Sequence, residues 1–103
     1  MAIRYHKRTF ISSADSTVEV GDHKGGTIAF AVQKIAGTYT TVTFQYSLDN
    51  GVSWDTVTDG TATALFSNVD GATSVVMTAC KIQYLTSGID TGSGTVIVVC
   101  DPV

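Results

Sequence analysis

Charge is scarce in this sequence: only 15% of the residues are Asp, Glu, Lys or Arg, against a hydrophobic share of 44%. Disorder requires the opposite balance, so the chain is expected to fold. A small domain with so few charges disperses poorly alone, which implies that neighbours cover part of its surface. Proline occurs once, at Pro102, so almost nothing interrupts extended backbone. No stretch reaches the ~18 consecutive apolar residues that a spanning helix needs, and no membrane partner is expected. Met1–Phe10 is basic and polar and lacks the apolar centre of a signal peptide. The expectation is a chain made and kept in a cytoplasm unless it leaves inside a larger particle.

Histidine and cysteine are equally sparse, at two each. Neither cysteine has a CxxC partner or a metal-spaced histidine, so zinc is not expected. No Ser/His/Asp or Cys/His set follows from spacing, and Gly25-Gly26 lacks the spacing of a phosphate cradle. The sequence therefore reads as no enzyme, with no cofactor and no metal. Cys80 and Cys100 are left with two states. If Ser74–Leu85 and Thr95–Cys100 form a hairpin centred near Asp90, the two cysteines face each other and a disulfide is conceivable. A reducing cytoplasm favours two free thiols acting as small apolar residues.

What is present is β-branched residues, glycine and alternation of period two, with no helical periodicity over ten residues. The pattern predicts strands over Ile3–Ile11, Thr17–Val20, Thr27–Ile35, Thr38–Ser47, Trp54–Thr58, Thr61–Phe66, Ser74–Leu85 and Thr95–Cys100. Gly21–Gly26, Asn68–Ala72 and Thr86–Gly94 read as loops. Ile28, Phe30 and Val32 share one face, as do Val42, Phe44 and Tyr46, and as do Cys80, Ile82 and Tyr84. The closing strand is an almost continuous apolar run, as in a central strand or a subunit contact. About eight short strands predict an all-β fold, an antiparallel β-sandwich or jelly-roll-like barrel, forming a single domain over residues 1–103.

The charge that exists is unevenly placed. Arg4, Lys7 and Arg8 are half of the six basic residues and no acidic residue precedes Asp15, so residues 1–14 carry +3 and the remainder −6. Residues 1–14 therefore form a basic N-terminal strand or arm on an acidic body. Arg4, Tyr5, Lys7 and Arg8 are the candidate partner-binding residues, for an acidic protein surface or another copy of the chain. The competing reading is an edge strand charged to block aggregation. Nucleic acid is a minor reading, because the rest of the body is acidic.

One local motif stands out. Ser47-Leu48-Asp49-Asn50-Gly51-Val52-Ser53-Trp54 resembles the Asp box, S-x-D-x-G-x-T-W, with Ser53 in place of threonine. It is a hairpin device: Asp49 accepts from turn amides, Gly51 takes a positive φ, and Trp54 packs back on the turn. A single copy does not make a propeller and carries no sialidase chemistry. A sugar platform of Trp54 with Tyr46 or Tyr39 is the functional alternative to plain hairpin packing. Asp49, Asp55 and Asp59 gather nearby, but turn carboxylates rarely meet the geometry of glycoside hydrolysis, and calcium-loop spacing is absent.

Residues 27–100 together resemble small β-sandwich structural proteins of tailed-phage virions, of the capsid decoration or cement type. The likeness rests on Ile28–Val32, on Thr41–Trp54 with its Asp-box hairpin, and on Lys81–Leu85 followed by Thr95–Val99. It implies an oligomeric virion protein that binds the major capsid protein or other virion proteins, and it supplies no catalytic residues.

Overall fold

A computed structural model describes residues 3–58 and 64–102. Alternating side chains build nine strands among them: β1 (His6–Ile11), β2 (Ser16–His23), β3 (Gly26–Ala36), β4 (Thr41–Ser47), β5 (Asp55–Thr56), β6 (Leu65–Phe66), β7 (Gly71–Met77), β8 (Cys80–Ser87) and β9 (Thr95–Pro102). They form two antiparallel sheets, packed face to face as a β-sandwich. One has the order β1-β9-β3-β7, the other β2-β8-β4-β5 with β6 also on β4. The all-β sandwich expected from alternation is thus the fold.

The core lies between the sheets and is aromatic at its centre. Phe30 of β3 meets Phe44 of β4 with ring centroids 4.6 Å apart. Tyr84 and Phe66 flank Phe44 at 5.6 and 6.0 Å. Ile28, Val32, Val42, Ile82, Val96, Val98 and Cys100 fill the remaining space. These are the inward parities of the period-two pattern, so one alternation sets both the strands and the core.

Connections pass repeatedly from one sheet to the other. β1 leads across to β2, β2 to β3, β3 to β4, β6 to β7, β7 to β8 and β8 to β9. The long strands therefore pair with sequence-distant partners, as in His6 with Cys100 and Ser16 with Thr86. The turns are tied by backbone bonds, among them Thr40 N–H to Ser87 O (2.8 Å) and Asp90 N–H to Thr38 O (2.9 Å). Gly88 sits at φ 70° against Thr40, where a side chain would collide with the Thr40 hydroxyl.

Several expected boundaries move. Ser74–Leu85 is two strands in different sheets, not one, because the chain crosses the sandwich at Thr78-Ala79. The expected hairpin of that segment with Thr95–Cys100 is therefore absent. Cys80 pairs with His23 in one sheet, Cys100 with His6 and Phe30 in the other, and both thiols are free. The expected loop at Gly21 is strand: β2 continues to His23 past a bulge between Glu19 and Gly21, which absorbs an extra residue and preserves the pairing. Gly71 and Ala72 belong to β7 rather than to a loop. β1 begins at His6, while Ile3 instead donates its N–H to Asp22 O at 2.9 Å. Residues 61–63 of the expected Thr61–Phe66 strand, and Asp59, lie outside the described residues.

Candidate functional site

The Asp-box segment closes the end of β4 through a connected set of hydrogen bonds. The Ser47 hydroxyl donates to Asp49 Oδ1 (2.7 Å) and accepts from Gly51 N–H (2.8 Å). Asp49 Oδ1 also accepts from Ser53 N–H (2.8 Å). Trp54 Nε1–H donates to Gly51 O at 3.2 Å, so the half-buried indole lies back over the turn. Asn50 and Gly51 take φ 61° and 91°, the left-handed pair that tightens the turn. The Ser53 amide and the Ser47 hydroxyl hold the Asp49 carboxyl down at about 2, so Asp49 is a permanent acceptor at neutral pH, with no proton to give.

The sugar platform is reduced to part of its expected set. Tyr39 is buried, donating its hydroxyl to Val69 O (2.6 Å) and accepting from Val69 N–H (3.1 Å). It serves the β3–β4 turn and cannot meet a ligand. Tyr46 packs against the core and lines an open depression of about 200 Å³ with Leu48, Asp49, Ser53 and Asp55. Trp54, on the same hairpin, does not line this depression; its ring lies over Gly51.

The basic residues fall at one edge of the four-stranded sheet. Arg4, Tyr5, Lys7 and Arg8 are all exposed on or just before β1. The Arg8 guanidinium lies 4.8 Å from the centre of the Phe10 ring, a cation–π contact that fixes its direction. His6, which lies among them in sequence, turns inward, with Nε2 2.9 Å from the Tyr84 hydroxyl. Burial, then the Arg8 charge, lower its pKa.

The pairing registers reveal a second feature, the outer face of the same sheet. Rows of neighbours run Lys7–Val99–Ala31–Ala72, Thr9–Ile97–Gln33, Asp101–Ala29–Ser74 and Thr27–Val76. Beyond Lys7 and Asp101 these rows hold no charge, and Ile11, Ile35 and Val76 stand exposed at the ends of strands. Sequence reasoning anticipated this only in part, through the apolar final strand. The remaining members come from three further segments, β1, β3 and β7, and strand order alone brings them together.

A third region is an opening of about 290 Å³ at one end of the sandwich, where Asp22, His23, Ser47, Cys80 and Lys81 meet. Buried His23 bonds Gly26 O through Nε2 (3.0 Å) and leaves Nδ1 without a hydrogen-bond partner. Lys81 bridges Asp22 (3.1 Å) and Glu19 (3.5 Å) across the mouth. Burial raises the Cys80 pKa, and pushes Cys100 up to about 12, so both remain thiols and poor nucleophiles. No cluster of three or more His, Cys, Asp or Glu able to hold a metal occurs among the described residues. No family of known proteins, no curated protein and no solved structure matches the chain.

Proposed function

We propose that this chain is a virion structural protein, a cement or decoration protein that stabilises a phage head by contacts with the major capsid protein. It would be assembled in the host cytoplasm and retained in the virion. The observation that carries the reading is the outer face of the four-stranded sheet, a nearly uncharged surface bordered on one edge by Arg4, Lys7 and Arg8. Such a face docks by apolar burial, and the basic edge orients it on an acidic neighbour. Many weak contacts on a lattice add up, so each subunit needs little affinity of its own.

Co-sedimentation with shells of the major capsid protein tests this. The expected result is saturable binding that weakens with added salt and falls at least tenfold in the Arg4→Glu/Lys7→Glu variant. A chain that stays at the top of the gradient with every head and tail component overturns it.

A second reading, a carbohydrate-binding or tail and neck adhesion module, draws support from the depression lined by Tyr46 and, separately, from the part of the Trp54 ring left exposed. Trp54→Ala would then abolish glycan binding while the domain stays folded. Unchanged retention on glycan arrays rejects it.

A further inference from the structure

Among the described residues the sandwich has four sheet edges, and they are not alike. A bare edge offers unpaired N–H and C=O groups to any extended strand, and proteins blunt such edges with charge, bulges or shortness. β1 carries Lys7 and Arg8. β2 carries Glu19, Asp22 and the bulge after Glu19. β5 and β6 are two residues each. β7 has none of these devices. It runs seven residues, Gly-Ala-Thr-Ser-Val-Val-Met, with no charge, no proline and no register shift against β3. It ends its sheet, and Val76 is 77% exposed.

We propose that β7 is the edge through which two copies of this chain pair, antiparallel and two-fold symmetric about Ser74. Centring on Ser74 uses the whole strand: Ala72 faces the second copy's Val76, Thr73 its Val75, and Ser74 its own equivalent. Every facing pair is uncharged, and on the outer face Ala72 meets the larger Val76 on either side of the Ser74 pair. The other long edges refuse the same operation. A two-fold pairing of β1 centred on Arg8 sets that residue opposite its own copy, and one of β2 centred on Glu19 does the same with Glu19, which is destabilising. The product is a continuous eight-stranded sheet whose outer faces lie on the same side, a wider version of the face already described. The inference goes beyond the capsid reading and does not rest on it. One strand pair covers less than the ~1,200 Å² of a stable complex, so the dimer is a weak one.

Sedimentation equilibrium of the full chain, from about 10 μM to 1 mM, tests it. The average mass should climb from 10.8 kDa towards twice that value and stop there. Ser74→Lys and Ser74→Glu, each at an exposed site, should weaken association at least tenfold, and their equimolar mixture should recover it. Val76→Lys should break the dimer and Ala72→Glu/Val76→Lys restore it, which reads the register even if the Ser74 variants fold poorly. Ile97→Lys, at the centre of the outer face, should leave association unchanged. A wild-type mass fixed at one chain, growth past two chains, or equal loss in Ile97→Lys overturns the proposal. The capsid reading is scored separately, by binding to shells.

Discussion

The two sheets show water very different outer faces. On the five-stranded sheet one row runs Glu19–Gln83–Gln45–Thr56 and the next Asp22–Lys81–Ser47. The Gln83 amide donates to Gln45 Oε1 at 2.7 Å, and Lys81 holds two carboxylates. These groups bond one another and remain wetted. The four-stranded sheet offers mostly alanine, valine, isoleucine and threonine in the equivalent places, with Gln33 and Ser74 among them and charge only at Lys7 and Asp101. Both sheets bury their inner faces in one shared core, so core building does not explain the difference between the outer faces. A face whose polar groups are already matched gains little from a partner, whereas an apolar one gains by covering.

The largest effect comes from the part the two faces share. Phe44 touches Phe30, Phe66 and Tyr84 and belongs to the core of both sheets. Phe44→Ala should cost about 3–5 kcal/mol in urea unfolding, with both sheets lost in one transition. If the four-stranded sheet kept protected amides while the other melted, the two faces would belong to separately stable units and the comparison would lose its basis.

Placing one charge on each face comes next. Ile97→Lys lies at the middle of the apolar face, and Leu85→Lys lies in the Thr17–Leu85–Thr43 row of the polar one. Both side chains are half-buried, and each substitution should change stability by about 1 kcal/mol or less. Shell binding should separate them: at least a tenfold loss for Ile97→Lys, about 1.4 kcal/mol or more, and no change beyond twofold for Leu85→Lys. Equal losses would mean that the composition of the faces does not decide docking.

The elements that were legible in sequence are those whose alternation is unbroken and whose contacts are local. β3 and β9 follow Ile28, Phe30, Val32 and Val96, Val98, Cys100 closely, and the Asp-box turn is written in eight consecutive residues. The errors fall where parity slips. Val75 and Met77 face inward at odd positions, Cys80, Ile82 and Tyr84 at even ones. That change of phase marks the crossing at Thr78-Ala79, but a run of apolar residues on either side hides it. At Val20-Gly21 the reverse holds: a bulge shifts the phase without ending the strand. The apolar face and the bare β7 edge were out of reach for another reason. Lys7, Val99, Ala31 and Ala72 become neighbours only through strand order, which alternation does not encode.

The smallest effect isolates the hairpin that ends the polar sheet. Asp49 has its carboxyl lowered from 3.8 to about 2 because the Ser53 amide and the Ser47 hydroxyl bond its charged form. A folded-state pKa below the unfolded one adds stability above the unfolded value, and that stability fades as pH falls through the folded one. The melting temperature should therefore drop between pH 4 and pH 2 by more in the wild type than in Asp49→Asn, which has no proton to take up there. In the same window the Gly51 and Ser53 amides should exchange faster, while those of β9 in the other sheet should not respond to the substitution. If wild type and Asp49→Asn lost stability in parallel, the carboxylate would not be what closes this turn. The polar sheet would then owe its end to Trp54 and Gly51 alone.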